Sequence, residues 1–140
     1  MKLTVSRDVL LLALSRAQGI VGKKTTMPIL SNVLIEAQSS DRFTITATDL
    51  DIFSKGEYEG LIDERGKTCV NARDLFDWMR ALPAGNVILE TVGTASLKVD
   101  SANGKDSLKL PAANVDDYPA MPSFGDVPYF KVKSDRLVEL

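Results

Sequence analysis

Short polar turns join most of the strand-like segments in this chain. Alternation of apolar and polar residues predicts strands at 32–37, 42–48, 51–62, 67–70, 86–91, 95–100 and 106–110. The turns between them, such as Ser39-Ser40-Asp41 and Asn103-Gly104, are of hairpin length. Parallel neighbours would need crossover connections of about a dozen residues or more. The spacing therefore predicts antiparallel sheet and places the chain in the α+β class.

The first of two helical segments follows a short strand at Leu3 to Val5. It is predicted to begin at a capping Ser6 and to end near Gln18, because its apolar residues recur with helical spacing. Leu11-Leu12 lies outside the main apolar stripe. We therefore expect this helix to be covered on more than one side.

The second helical segment begins after Asn71, a favoured capping residue, and ends before Pro83. Asp74 stands at the third helical position, where it meets the free amides of the first turn. The predicted apolar stripe consists of Ala72, Leu75, Phe76 and Met79. The expected architecture is two helices packed on antiparallel β-sheets.

The end of the chain repeats the chemistry of its beginning. Residues 111–128 hold four prolines and predict an edge segment that leads into a linker at 123–128. Beyond it, Phe130 to Val138 matches Leu3 to Leu11 at an offset of 127, as a strand followed by a helix start. We expect one complete domain at 1–122 and, at 129–140, the truncated start of a second domain of similar build.

The sequence lacks the side chains that most catalytic sites use. It has no histidine, and its one cysteine, Cys69, cannot form a zinc site alone. Asp49 and Asp51 form a pair able to hold a divalent cation, but they stand at a tight turn, where aspartate is favoured for its backbone bonds. We therefore expect no catalytic residue, no metal and no cofactor. The alternative is a metal-dependent enzyme built on the aspartate pair.

Charge is distributed unevenly along a chain of formal net charge −2. Residues 1–24 hold five basic residues and one acidic residue, whereas residues 36–64 hold eight acidic residues and two basic ones. Such a chain is able to turn one face towards phosphates. The basic residues that we single out are Arg16, Lys23, Lys24, Arg73 and Arg80.

This basic set predicts sequence-independent contact with duplex nucleic acid, because basic side chains neutralise phosphates without reading bases. No aromatic residue accompanies the set in a stacking pattern, which makes a single-strand platform the weaker interpretation. The alternative is that Asp77, which lies between Arg73 and Arg80, simply pairs with them.

The sequence also indicates where the protein resides. No apolar run reaches the ~18 residues of a membrane span, and the N-terminus lacks the apolar core of a signal peptide. A single cysteine fits a reducing compartment. We expect a cytoplasmic protein with no membrane partner.

Several short motifs together resemble a known family. They are Thr26-Met27-Pro28-Ile29-Leu30-Ser31-Asn32, Thr48-Asp49-Leu50-Asp51, Arg80-Ala81-Leu82-Pro83, and Leu110-Pro111-Ala112-Ala113 with Tyr118-Pro119 downstream. Their order and spacing over the whole chain resemble the N-terminal part of the bacterial DNA polymerase III beta subunit, the sliding clamp. The resemblance implies the DNA clamp fold: three similar domains per subunit, each with two helices facing a central hole, and two subunits closed head to tail around double-stranded DNA.

The resemblance also implies a role in replication without catalysis. The family's ring is a processivity factor that tethers the replicative polymerase, and the polymerase activity belongs to the holoenzyme. DNA polymerase III subunits and the clamp loader would bind a cleft between the second and third domains, outside this chain. By the same resemblance, DNA contact falls to Lys24, Arg73 and Arg80, beside Lys23 and Arg16 of the basic set.

The ring-closing edge of the homodimer departs from the family pattern. Lys105 keeps a basic charge there and Leu108 is placed for an apolar contact, whereas other positions lack the expected basic or bulkier residues: Asp74, Ser96 and Asn103. The electrostatic part of ring closure is therefore expected to differ. The competing hypothesis for the chain is an α+β protein-interaction domain with no role on DNA.

Overall fold

The computed structural model describes residues 1–21, 27–122 and 128–138. The strands are β1 Lys2–Ser6, β2 Asn32–Ala37, β3 Arg42–Thr48, β4 Phe53–Glu59, β5 Leu61–Glu64, β6 Gly66–Asn71, β7 Asn86–Val92, β8 Ser96–Ser101 and β9 Ser107–Ala113. The α-helices are α1 Arg7–Gln18, α2 Ala72–Ala81 and α3 Ser134–Val138, and short 3-10 turns lie at Pro28–Ser31 and Val115–Asp117. All strand pairs are antiparallel, which confirms the predicted α+β class.

The strands form one nine-stranded sheet in the order β4-β3-β2-β6-β9-β8-β7-β1-β5. β9 joins its two halves: Ser107 to Pro111 pair with β8, and Ala112 and Ala113 pair with β6. Pro111 has no N–H to donate and falls where the strand changes partner, a position that tolerates proline. The predicted strand end at 110 is therefore wrong, because β9 continues to Ala113.

The predicted strand at 51–62 is also wrong, because the chain changes sheet edge at Gly60. β4 ends at Glu59 and pairs with β3, whereas β5 starts at Leu61 and pairs with β1. A Cβ at Gly60 would lie 3.1 Å from the Phe43 ring and 3.3 Å from the Thr4 carbonyl oxygen. Because Gly60 has no side chain, the backbone can pass close to Phe43 and Thr4. The two edge strands of the sheet, β4 and β5, are consecutive in sequence, so the sheet curves to bring its edges near each other.

The hydrophobic core lies between one face of the sheet and the two longer helices. α1 buries Leu10, Ala13, Leu14 and Ala17, and α2 buries Ala72, Leu75 and Met79. Alternate residues of the strands meet them, such as Val33, Ile35 and Phe43. A fully buried side chain of this size contributes about 1.5–3 kcal/mol. The helices are therefore fixed on the sheet mainly by these buried stripes.

Three details of the helices differ from the sequence-based expectations. Leu12 is 49% exposed, so α1 is not covered on that side. Phe76 is only partly buried. Ser6 occupies the N-cap position of α1 without a side-chain cap bond, whereas Asn71 Oδ1 accepts from the Asp74 N–H at 3.0 Å as expected.

The described residues 128–138 add no buried side chain to this core. Phe130 and Val138 are each 86% exposed. α3 begins at Ser134, which stands 127 positions after Arg7, the first residue of α1. Among the described helices, none is long and apolar enough to cross a membrane.

Candidate nucleic-acid interface

α1 and α2 lie side by side in opposite directions. Arg7, at the start of α1, donates from Nε to the Met79 carbonyl oxygen near the end of α2 at 3.0 Å. Between the exposed faces of the two helices runs a groove of about 400 Å³, lined by Asp8, Leu11, Leu12, Ser15, Phe76 and Arg80. The pair therefore forms a continuous helical surface turned away from the sheet.

Three arginines of the predicted basic set project from this helical surface, and all three are exposed. Arg73 has a side chain 81% exposed, and its Nε lies 3.8 Å from a carboxylate oxygen of Asp77. The Arg80 guanidinium carbon lies 5.6 Å from the centre of the Phe76 ring. Arg16 stands in the last turn of α1.

The alternative that Asp77 pairs with both arginines is borne out for Arg73, and that contact is weak, whereas the guanidinium of Arg80 lies over the Phe76 ring. An exposed ion pair contributes at most about 1 kcal/mol and is screened by salt. A phosphate can therefore compete for Arg73. The contact between Arg80 and the Phe76 ring was not predicted from the sequence. The i, i+4 spacing of the two residues on one helix does indicate that their side chains can meet.

The antiparallel packing assigns the arginines to two ends of the surface. Arg16, late in α1, and Arg73, early in α2, stand at one end, and Arg80 stands at the other. Arg73 and Arg80 are separated by about 10 Å along the helix axis, at a rise of about 1.5 Å per residue. Lys23 and Lys24 follow α1 in sequence and lie outside the described residues.

The outer face of the sheet carries charges of both signs. α1 and α2 together carry four arginines and three aspartates. On the outer face of the sheet, the two carboxylate oxygens of Glu36 lie 3.9 Å from the ammonium nitrogens of Lys55 and Lys67. The helices thus carry one more basic than acidic residue, and their exposed arginines lie on the opposite side of the sheet from these ion pairs.

The predicted dimer-edge residues lie on β9 and the turn before it. Lys105 is exposed and follows Asn103, whose Oδ1 accepts from the Lys105 N–H at 2.8 Å. The asparagine therefore has a role in forming this turn. Leu108 is partly buried against the domain's own core. On β8, the Asp100 carboxylate 3.0 Å from the Lys98 ammonium raises the pKa of that lysine.

The aspartate pair serves a turn. Asp49 Oδ1 accepts from the N–H groups of Asp51 and Ile52 at 3.0 and 2.7 Å, and Leu50 between the aspartates adopts a positive φ of 80°. No group of three or more potential metal ligands occurs within residues 1–21, 27–122 and 128–138. Cys69 is fully buried, and burial raises the pKa of its thiol. Asp49 thus has the backbone-bonding role in a turn that the sequence predicts.

A curved antiparallel sheet bearing two antiparallel helices with exposed arginines defines a sliding-clamp domain. The chain superposes on the crystal structure of the DNA polymerase sliding clamp from Caulobacter crescentus with a TM-score of 0.82 and 37% identity, over 89% of this chain and 34% of that one. The beta clamp of Helicobacter pylori, solved bound to a DNA ligase peptide, gives a TM-score of 0.81 and 31% identity over 88% of this chain and 33% of that one.

The chain belongs to the DNA polymerase III beta subunit family, because the family's model "DNA polymerase III beta subunit, N-terminal domain" matches residues 1–122. It is 37% identical over 141 residues to the beta sliding clamp of Caulobacter vibrioides and 35% identical over 145 residues to that of Escherichia coli K12. These matches cover 100% and 99% of the chain but only 37% and 38% of the relatives. The chain thus spans little more than a third of their length.

Proposed function

We propose that this chain is the N-terminal part of a processivity factor of DNA replication, a ring that encircles duplex DNA and tethers the replicative polymerase. The observation that carries the proposal is the exposed arginine surface of α1 and α2, in a domain similar to beta sliding clamps. Binding through Arg16, Arg73 and Arg80, with Lys23 and Lys24, would be independent of DNA sequence.

The proposed protein is non-catalytic, and polymerase activity resides in the holoenzyme that it serves. Its proposed partners are DNA polymerase III subunits and the clamp loader, which would bind domains beyond this chain. Homodimer closure would use the edge that carries Lys105 and Leu108. The proposed location is the cytoplasm, where replication of bacterial DNA takes place.

A second domain would follow the linker at 123–128. The start of α3 at Ser134 repeats the position of α1 at the offset of 127 seen in the sequence. Phe130 and Val132, the equivalents of the buried Leu3 and Val5, are 86% and 46% exposed. Apolar residues in this pattern need a core, and residues 129–140 would supply the first strand and helix of one.

The arginine surface is tested by removing positive charge either from the helices or from the outer face of the sheet in the full-length protein. One variant carries Arg16→Gln, Arg73→Gln and Arg80→Gln. Its matched control loses the same charge from the outer sheet face, through substitution by glutamine of the exposed Arg42, Lys55 and Lys67. Binding to a short duplex is followed by fluorescence anisotropy over a salt series.

The helix variant should reduce the magnitude of the negative slope of log affinity against log salt by about 2.7, since each lost phosphate contact removes about 0.9. The outer-face control should leave the slope unchanged. Equal slopes for both variants would refute the assignment of the DNA surface to the helices.

Encirclement is tested separately by loading the full-length protein on closed circular duplex with a clamp loader. A ring should remain on the circle at high salt and leave when the DNA is cut, because its hold is topological. Retention that does not depend on circularity would refute the ring. Absence of any DNA retention would favour the protein-interaction domain.

A further inference from the structure

The end of α2 lacks a normal backbone hydrogen-bond donor. The N–H of Leu82 bonds to the Trp78 carbonyl oxygen at 3.2 Å, and the next residue is Pro83. In a continued helix, residue 83 would donate to the carbonyl of Met79, but proline has no N–H. Leu82 is extended, as expected before proline. The Met79 carbonyl therefore needs a donor from elsewhere.

Arg7 supplies that donor. Its Nε donates to the Met79 carbonyl oxygen at 3.0 Å, and its Nη2 lies 3.4 Å from the Arg80 carbonyl oxygen. Its backbone N–H donates to the Gly85 carbonyl oxygen at 2.8 Å. One residue at the start of α1 thus fixes both the last turn of α2 and the turn that follows it.

The guanidinium of Arg7 is occupied by these contacts. Its Nη1 lies 2.8 Å from a carboxylate oxygen of Asp8, and its side chain is only 20% exposed. A positive charge at this place also faces the negative end of the α2 dipole. Arg7 is therefore poorly placed to bind phosphate, although sequence composition alone counts it among the basic residues of the N-terminus.

Arg80 differs from Arg7 in its exposure and in the contacts of its guanidinium. It is exposed, and its guanidinium lies over Phe76 on the groove between the helices. Its backbone belongs to the turn that Arg7 holds through the carbonyls of residues 79 and 80. Loosening this turn would change where the Arg80 side chain leaves the surface.

We propose that Arg7 is a positioning residue for DNA binding, which acts by closing the C-terminal end of α2 and so fixing Arg80 towards the phosphates. The inference rests on the proposed function, since it assigns a role within the same helical surface. The role depends on the geometry of the Nε and Nη2 donors and not on charge alone. Lysine, which carries a charge but no forked guanidinium, should not replace it.

A double-mutant cycle in the full-length protein tests the proposal. The proteins are wild type, Arg7→Lys, Arg80→Gln and the combination. Arg42→Lys is the control for an exposed arginine, whose Nη2 lies 3.7 Å from a carboxylate oxygen of Glu59. Affinity for a short duplex is measured over a salt series, well below the lowest melting temperature of the set. Arg7→Gln serves as a second variant if Arg7→Lys does not fold.

Arg80→Gln should weaken binding about fivefold at physiological salt and reduce the magnitude of the negative salt slope by about 0.9, the effect of one phosphate contact. Arg7→Lys should approach the same loss although it keeps its charge, and should add nothing in the Arg80→Gln background. Arg42→Lys should change neither quantity.

Full affinity in Arg7→Lys, or an equal loss with and without Arg80, would overturn the positioning role while the proposed function stands. No effect of Arg80→Gln would instead remove Arg80 from the DNA surface, and the positioning role with it. The two failures are thereby distinguished.

Discussion

Removal of one hydroxyl group from Tyr118 tests how the end of the domain is held to the sheet. Tyr118 is 7% exposed and its hydroxyl donates to the Thr46 carbonyl oxygen at 3.1 Å. Tyr118→Phe keeps the ring and loses this bond. A buried neutral hydrogen bond contributes about 1–1.5 kcal/mol, so the free energy of unfolding should fall by that amount near neutral pH.

The penalty of Tyr118→Phe should also depend on pH. Burial raises the pKa of the Tyr118 hydroxyl above the ordinary tyrosine value. As the pH rises, the unfolded chain therefore releases this proton before the folded protein does. Above about pH 10, the free energy of unfolding of the wild type falls by up to about 1.4 kcal/mol per pH unit. The fall stops when the pH reaches the pKa of the hydroxyl in the folded protein. The phenylalanine variant has no such loss at this position. The difference between the two proteins should shrink towards zero near a pH of about 11.

Urea unfolding followed by circular dichroism measures both effects, at neutral pH and in steps through the alkaline range. Tyr129→Phe is the matched control, because that tyrosine is 83% exposed and should contribute nothing to the difference. A penalty for Tyr118→Phe that stays constant up to about pH 11 would refute the reasoning, since it would mean that the buried hydroxyl is not kept protonated by folding.

Other substitutions test single contacts. Asn71→Ala should lower the free energy of unfolding by about 1 kcal/mol through loss of the cap bond to Asp74. Ser6→Ala removes no cap bond and should leave the urea midpoint unchanged. Equal effects of the two substitutions would contradict the assignment of the cap bond to Asn71. Asp49→Ala should lower the free energy of unfolding by about 1–2 kcal/mol, and the melting temperature by several degrees, because one oxygen of Asp49 accepts two backbone N–H bonds. A melting temperature that depends on Mg²⁺ would instead support the metal site. The Cys69 thiol should react with a disulfide reagent only as fast as the protein unfolds, since it is fully buried and its pKa is raised; rapid labelling of native protein would show that it is accessible.

Most of the fold could be predicted because alternation and helix caps are local signals. The strands at Asn32–Ala37 and Arg42–Thr48 have the predicted bounds, and Asn71 caps α2. The break at Gly60 could not be predicted in this way, since alternation continues across it. At the break, Gly60 passes close to Phe43 and Thr4, which come from distant parts of the chain.

In the candidate site too, local spacing predicts some residues, and others depend on contacts between distant parts of the chain. Arg73 and Arg80 could be placed on one helix by their spacing, and the structure has both exposed. The part played by Arg7 depends on the antiparallel packing of α1 and α2, which no local pattern reports. A clue was nevertheless present in the sequence, because Pro83 leaves a helix carbonyl without its backbone donor.

The position of β1 in the sheet has a consequence for folding during translation. β1 lies between β5 and β7, with Leu3 paired to Ile62 on one side and Leu89 on the other. At a synthesis rate of about 5–20 residues per second, Leu3 waits roughly 4 to 17 s after its own synthesis before its second neighbour exists. During that interval its apolar side chain is available to chaperones. β1 is thus paired on both sides only when most of the domain has been synthesised, and such long-range contacts slow folding.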